Sequence, residues 1–285
     1  MPPTITRIAT GHHQPEGDGM TVRRAFPNQA IGRLDPFLML DEMGPIEFQP
    51  GARSGFPDHP HRGFETVTYM LDGEFEHKDS NGNKGRLGRG DVQWMTAGAG
   101  VVHSEMPSAD LRKKGGRLHG FQLWVNLPAK DKMMPPRYQE FPGAKIPEAT
   151  FAGGSAKVIA GKFGGVSAVI DTRTPIQYLH VRLDAGAEVK LDVPDGHEGF
   201  VYVFVGDAKV AGKTLGEAQT GALSGTGPLA VHAGAKGAQF LFITGIPIRE
   251  PVFQYGPFVM TTREEIIQAV QDYQSGKFGT IPATH

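Results

Sequence analysis

At 285 residues, with 39% apolar and 21% charged side chains, the chain is long enough for two domains that each bury a core. A formal charge of -1 gives no electrostatic reason for attachment to nucleic acid or membranes, and the absence of cysteine argues against a disulfide framework, a structural zinc knot or an iron–sulfur cluster. No apolar stretch follows a basic start in residues 1–30, and no apolar run elsewhere approaches a membrane span, so a cytoplasmic protein is expected.

Thirty-nine glycines and 22 prolines punctuate short β-branched and aromatic runs, the rhythm of an all-β sandwich or barrel. Strands are predicted at 63–71, 91–96, 101–106 and 120–127, separated by turn signals at Asp79-Ser-Asn-Gly-Asn83 and Gly88-Arg-Gly-Asp91. Trp94 and Trp124 read as core side chains of their strands. The proline-rich, charged stretch 128–147 reads as a linker between domains. Further strands follow at 156–160, 176–183, 199–205, 228–233 and 238–245. Near the end Thr262 and Glu265 form a capping-box pattern, Ile266, Val270 and Tyr273 recur at helical spacing, and Gly276 supplies a stop. This short C-terminal α-helix is expected to pack its apolar stripe over a barrel. The doublets Arg23-Arg24 and Lys113-Lys114 are too short for a polybasic patch.

Chemistry concentrates in the first half. His59 and His61 are one residue apart, and His103 and Glu105 repeat that spacing. Side chains alternate along a strand, so each pair presents two metal-binding groups on one face. Two such strands side by side make a site of three imidazoles and a carboxylate, suited to a divalent first-row metal with open positions. Counting alone leaves Glu65, at an even offset from His61, as a competing carboxylate. The halves also resemble each other weakly: His61-Arg-Gly-Phe64 and His197-Glu-Gly-Phe200 each lead into a strand that ends at glycine, Gly73 and Gly206. The second half lacks both ligand pairs. Its His180, His197, Glu198 and His232 read as ordinary polar residues, with a degenerate second metal site as the alternative.

The H-x-H, the strand that ends at glycine, Gly90-Asp91 and the further histidine resemble the paired motifs of cupins, which are double-sheet jelly rolls. Longer strings, Phe56-Pro-Asp-His-Pro-His-Arg-Gly-Phe-Glu-Thr-Val67, Gly90-Asp-Val-Gln-Trp-Met-Thr-Ala-Gly98, His103-Ser-Glu-Met-Pro107 and His119-Gly-Phe-Gln-Leu-Trp-Val-Asn126, resemble the pirin family of bicupins. So do Leu34-Asp-Pro-Phe-Leu-Met-Leu-Asp41 and Pro247-Ile-Arg-Glu-Pro251, which extend the likeness over the whole chain. The resemblance implies two tandem cupin barrels, a metal-binding one over residues 1–135 and a second over 136–285 with the helix. It implies His59, His61, His103 and Glu105 as ligands of one metal ion, usually iron, with nickel, manganese, copper, cobalt or zinc also accepted by such a set. Pirins take their carboxylate from the second motif, which favours Glu105 over Glu65.

For several members the resemblance implies a quercetin 2,3-dioxygenase activity, in which a flavonol and dioxygen react and carbon monoxide leaves. Glu105 would then also act as the base for the flavonol 3-hydroxyl. Phe56 and Gln122 are candidates for the substrate pocket, and His119 for a hydrogen bond to a ligand. The alternative implied role is a metal-dependent, redox-responsive regulator that binds a transcription factor or metabolic enzyme, a protein partner that no sequence feature identifies.

Overall fold

The structure is a computed structural model that describes residues 1–282. Period-two burial runs through it: in the strand Glu188–Val193 every second residue is buried, as expected of a strand with one solvated face. Strands buried on both faces, such as Val92–Thr96, lose that alternation. Among the described residues the only α-helices are Ala109–Lys114 and Arg263–Gln274, and none is long and apolar enough to cross a membrane. The protein is all-β, built as two jelly-roll barrels with a terminal helix.

The chain divides into two compact units that interleave in sequence. One comprises Met1–His12, Arg23–Leu40 and Ala144–Ile248; the other comprises His13–Val22, Asp41–Gly143 and Arg249–His285. A single division at 135/136 therefore does not describe the units, because the terminal helix joins the unit that carries the histidine pairs.

In the first of these units the strands run in the order Thr4–Thr10, Gln219–Ser224, Glu198–Val210, Gly227–Gly245, Ile176–Leu183, Gly154–Ala160 and Glu148–Phe151. Its core is aliphatic, with Val158, Val181, Leu183, Val201, Val203, Leu229, Val231, Phe240 and Phe242 among its members. The segments expected at 228–233 and 238–245 are one long strand, Gly227–Gly245.

The other unit faces two sheets against each other. The smaller runs Phe56–His61, Val101–Pro107, Phe75–Asp79, Lys84–Leu87. The larger runs Arg137–Phe141, Val92–Thr96, Phe64–Asp72, Gly116–Asn126, Phe37–Phe48, Met20–Phe26, His12–Glu16, of which residues 37–40, 23–26 and 12 are counted with the first unit. The stretch read as a linker thus contributes the edge strand Arg137–Phe141, a place where neighbouring prolines and charge are tolerated. The helix Ala109–Lys114 was not expected either; Ser108 caps it by accepting from the Leu111 N–H, and Gly115 at φ 72° closes it. The terminal helix has its capping box in place, and Ile266 and Val270 pack with Val102, Phe258, Ala269 and Phe278.

Candidate metal centre

The strand Phe56–His61 lies at an edge of the smaller sheet, where the missing N–H groups of Pro57 and Pro60 need not break a ladder. It pairs antiparallel with Val101–Pro107, His59 opposite His103 and His61 opposite Val101. Opposed residues share a face, and alternation puts His61 on the face of His59. A bulge separates His103 from Glu105 on that side. On the other side the strand pairs regularly, with His103 opposite Asp79 and Glu105 opposite His77, so His103 and Glu105 stay on one inward face.

The ligand nitrogens of His59, His61 and His103 lie within 4.8 Å of one another. His59 Nδ1 is 2.7 Å from the Pro57 carbonyl and donates to it, which turns Nε2 toward the other two rings. That Nε2 sits 3.0 Å from His61 Nε2. His103 is 1% exposed, and neither of its ring nitrogens has a hydrogen-bond partner. Burial, then the neighbouring His59, holds His61 well below the usual histidine range, the Pro257 carbonyl opposing. Burial and then His59, His61 and His77 do the same for His103. His61 and His103 therefore present neutral imidazoles. A buried imidazole with no partner costs roughly 1–3 kcal/mol, and convergent unprotonated nitrogens are what a divalent cation takes. The donor set fits a metal ion.

Glu105 is 2% exposed and is not one of the three groups within that 4.8 Å. Its Oε1 accepts from Thr68 Oγ1 at 2.9 Å and its Oε2 from Gln122 Nε2 at 2.9 Å. Thr68 and Gln122 are cross-strand partners on the larger sheet, so these two bonds span the barrel interior. Glu65 lies on the opposite face of its strand from Thr66 and Thr68 and accepts from Thr96 Oγ1 at 2.6 Å. The even offset from His61 does not carry across because the chain changes sheets at Arg62 and Gly63, with Gly63 at φ 85°.

The remaining candidates occupy distinct places. Phe56 falls opposite Glu105 in register, and its ring meets Phe75 edge-on at 6.2 Å. Gln122 touches Glu105 as described. His119 is 2.8 Å from Glu42 Oε1, a carboxylate outside the cluster. Trp94 is fully buried core, whereas Trp124 walls the site, its ring 5.3 Å from that of His61.

Several contributors escaped the sequence reading. Thr68 could have been found from the alternation of Thr66-Val67-Thr68. Glu140 lies in the presumed linker, yet its Oε2 accepts from His77 Nε2 at 2.7 Å and from Gln93 Nε2 at 3.0 Å. Tyr138 stacks on His77 at 6.0 Å, and burial, reinforced by Asp79, Glu105 and Glu140, pushes its phenol well above the usual range. In the second barrel His180 is bonded to Gln239, His197 to Thr244, and His232 to Glu188. Among the described residues they form no cluster comparable to the first.

Comparison with known proteins agrees with this architecture. The pirin family pattern matches residues 19–125, and that of the pirin C-terminal cupin domain matches residues 178–279. A pirin-like protein of Solanum lycopersicum is 46% identical over 282 residues, covering 98% of this chain and 94% of that protein. A Pseudomonas aeruginosa protein that carries the provisional name quercetin 2,3-dioxygenase is 45% identical over 266 residues, covering 92% and 93%. A crystal structure titled quercetin 2,3-dioxygenase from Acinetobacter baumannii superposes with a TM-score of 0.93 at 39% identity, covering 99% of this chain and 100% of that one. With both barrels matched in order and the three histidines gathered in the first, the chain belongs to the pirin family.

Proposed function

We propose that this protein is a metal-dependent dioxygenase that opens the central ring of quercetin or a similar flavonol with dioxygen and releases carbon monoxide. The observation that carries the reading is the buried His103, both ring nitrogens unpartnered, facing the nitrogens of His59 and His61. Relatives named for this activity support it. His59, His61 and His103, with Glu105 as the fourth ligand, would hold the ion, iron for preference. When bound, the ion supplies a Lewis acid for the flavonol 3-oxygen and a redox partner for dioxygen.

The protein's own groups do the rest. Each oxygen of Glu105 accepts one hydrogen bond, from Thr68 or Gln122, and keeps further lone-pair capacity. The carboxylate can therefore take the proton of the 3-hydroxyl while Thr68 and Gln122 fix its orientation. The Trp124 and Phe64 rings, 4.3 Å apart, form an apolar wall that excludes water beside His61. We place the protein in the cytoplasm.

Elemental analysis of purified protein should find close to one ion per chain, lost or weakened in His61→Ala and Glu105→Ala. On the same sample, aerobic quercetin should lose its visible absorbance with an equivalent of carbon monoxide. Unchanged metal in both variants would contradict the ligand set. No turnover with iron, nickel, manganese, copper or cobalt would refute the enzyme and leave the regulatory role, to be sought as a partner whose binding differs between ferrous and ferric protein.

A further inference from the structure

Arg62 separates the ligand His61 from the sheet-changing Gly63, and its hydrogen bonds tie it closely to the carboxy-terminal segment. Its N–H donates to the Pro257 carbonyl at 3.2 Å, and its own carbonyl accepts from the Val259 N–H at 3.0 Å. Its guanidinium donates to Ala99 O at 2.7 Å and to Asp272 Oδ2 at 2.9 Å. The same group lies 4.5 Å over the Phe278 ring. Asp272, on the terminal helix, is saturated: its other oxygen accepts from Gln268 at 2.8 Å and Lys277 at 2.6 Å.

The same segment also reaches the second ligand strand. Val102, the residue before His103, packs with Phe258, Ala269 and Phe278. Its N–H donates to Ser80 Oγ at 3.2 Å, and that hydroxyl donates to the Phe278 carbonyl at 2.6 Å. A Cβ on Gly100 would come within 2.6 Å of the Phe278 ring, so the loop before this strand is seated on the same aromatic. One helix and its tail thus grip the residues adjoining both His61 and His103.

An arginine this buried, 5% exposed, is an expensive packing element unless its partners hold it in one geometry. The partners are a carboxylate, a carbonyl and a ring, and they fix the peptide that aims His61. We propose that Arg62 and Asp272 are positioning residues of the metal centre, through which docking of the terminal helix sets the geometry of the His61 and His103 ligands. Cation binding and helix docking are then coupled, and coupling between two equilibria is reciprocal. The proposal rests on the metal reading and is independent of the reaction catalysed.

Cobalt(II) is the probe, in full-length protein freed of metal. Chelator competition and the visible spectrum of bound cobalt would be measured for the native chain, Asp272→Asn, Arg62→Lys and, as a control on the same helix, Glu264→Gln. We expect about tenfold weaker binding and an altered spectrum in the first two variants and neither change in the control. In the native chain, cobalt should slow amide exchange at Ala269 to Asp272 by about the same factor; this arm needs no variant, so misfolding cannot remove it. Cobalt bound within twofold of native affinity, with the native spectrum, in both variants, or exchange of the helix indifferent to cobalt, would overturn the proposal. Failure of the native chain to bind cobalt at all would overturn it together with the metal reading.

Discussion

Replacing Lys132 with methionine would remove a buried ammonium but keep a stem of similar length. The ammonium, on a side chain 1% exposed, donates to Asn126 Oδ1 at 2.7 Å, Gly63 O at 2.8 Å and Val259 O at 3.0 Å. Three donors meet three acceptors, and one of them, Gly63, is where the chain leaves the His61 strand. All three acceptors are neutral. Burial accordingly lowers the lysine from 10.5 to about 8, with Glu250 and Glu265 opposing.

Below pH 8 the lysine is protonated in both folded and unfolded chains, and the folded state bears the full cost of burying the charge, on the order of 3 kcal/mol. Between about pH 8 and 10.5 the unfolded chain binds more protons, so this contribution to stability rises with pH. Methionine escapes the cost but strands three buried acceptors at roughly 1–3 kcal/mol each. The stranded acceptors outweigh the relief at pH 7, leaving a net loss of about 3 kcal/mol and a melting point lower by roughly 6–12 °C. At pH 9.5 the native protein has recovered much of its charge cost, so the gap should widen. Thermal unfolding followed by the fluorescence of Trp94 and Trp124 at both values checks this. Equal melting points at pH 7, or a gap that stays constant with pH, would refute the reasoning.

Three further outcomes follow from the same geometry. A methyl at Gly85 would collide with His77 Nε2 and Glu140 Oε1, so Gly85→Ala should cost roughly 1–3 kcal/mol in urea unfolding. Thr68→Val and Gln122→Leu each strip one hydrogen bond from Glu105 and should lower metal affinity or turnover by about 10- to 100-fold, read by chelator competition and flavonol loss. His61 and His103 are held below the usual histidine range by burial, so the unfolded chain takes up protons that the folded site refuses. The metal-free protein should therefore lose stability as the pH falls below about 6.5, which urea midpoints at pH 7.5 and 5.5 would show.

The legible parts of the sequence were those whose cause is local. His59 and His61, and His103 and Glu105, could be read as facing pairs because alternation within one strand fixes them. The capping box of Thr262 and Glu265 announced the terminal helix for the same reason. What alternation could not supply was any event between strands. The change of sheet at Arg62 and Gly63 breaks the count from His61 to Glu65 and sends Glu65 to the other face, where Thr96 holds it. Arg137–Phe141 was hidden because an edge strand tolerates the prolines and charge of a linker. The bond from Arg62 to Asp272 joins residues 210 positions apart, so the helix could be predicted and its grip on the residue after His61 could not.

The two barrels show why one of them carries the chemistry. The matching tetrapeptides place His61 at the end of the strand Phe56–His61, facing His59 and His103, and His197 in a hydrogen bond to Thr244 Oγ1 at 3.0 Å. Around the second, the interior is closed by valine, leucine and phenylalanine, whose burial stabilises at about 25 cal/mol per Å² of apolar surface. The first barrel buries an apolar cluster of its own, Met70, Phe75, Leu87 and Leu118 among its members, but gives up part of that gain around the histidines. It lines its interior with Thr68, Gln93, Gln122, His77 and Glu105, each held by a partner, and leaves His103 with none. A cation that binds only the folded site returns stability by mass action, about 2.7 kcal/mol at a hundredfold excess over its Kd. The unsatisfied imidazole is thus a local cost that becomes favourable only with an ion present, and such a cost is tolerable in a unit that is also braced by Lys132 and by the Arg62–Asp272 pair.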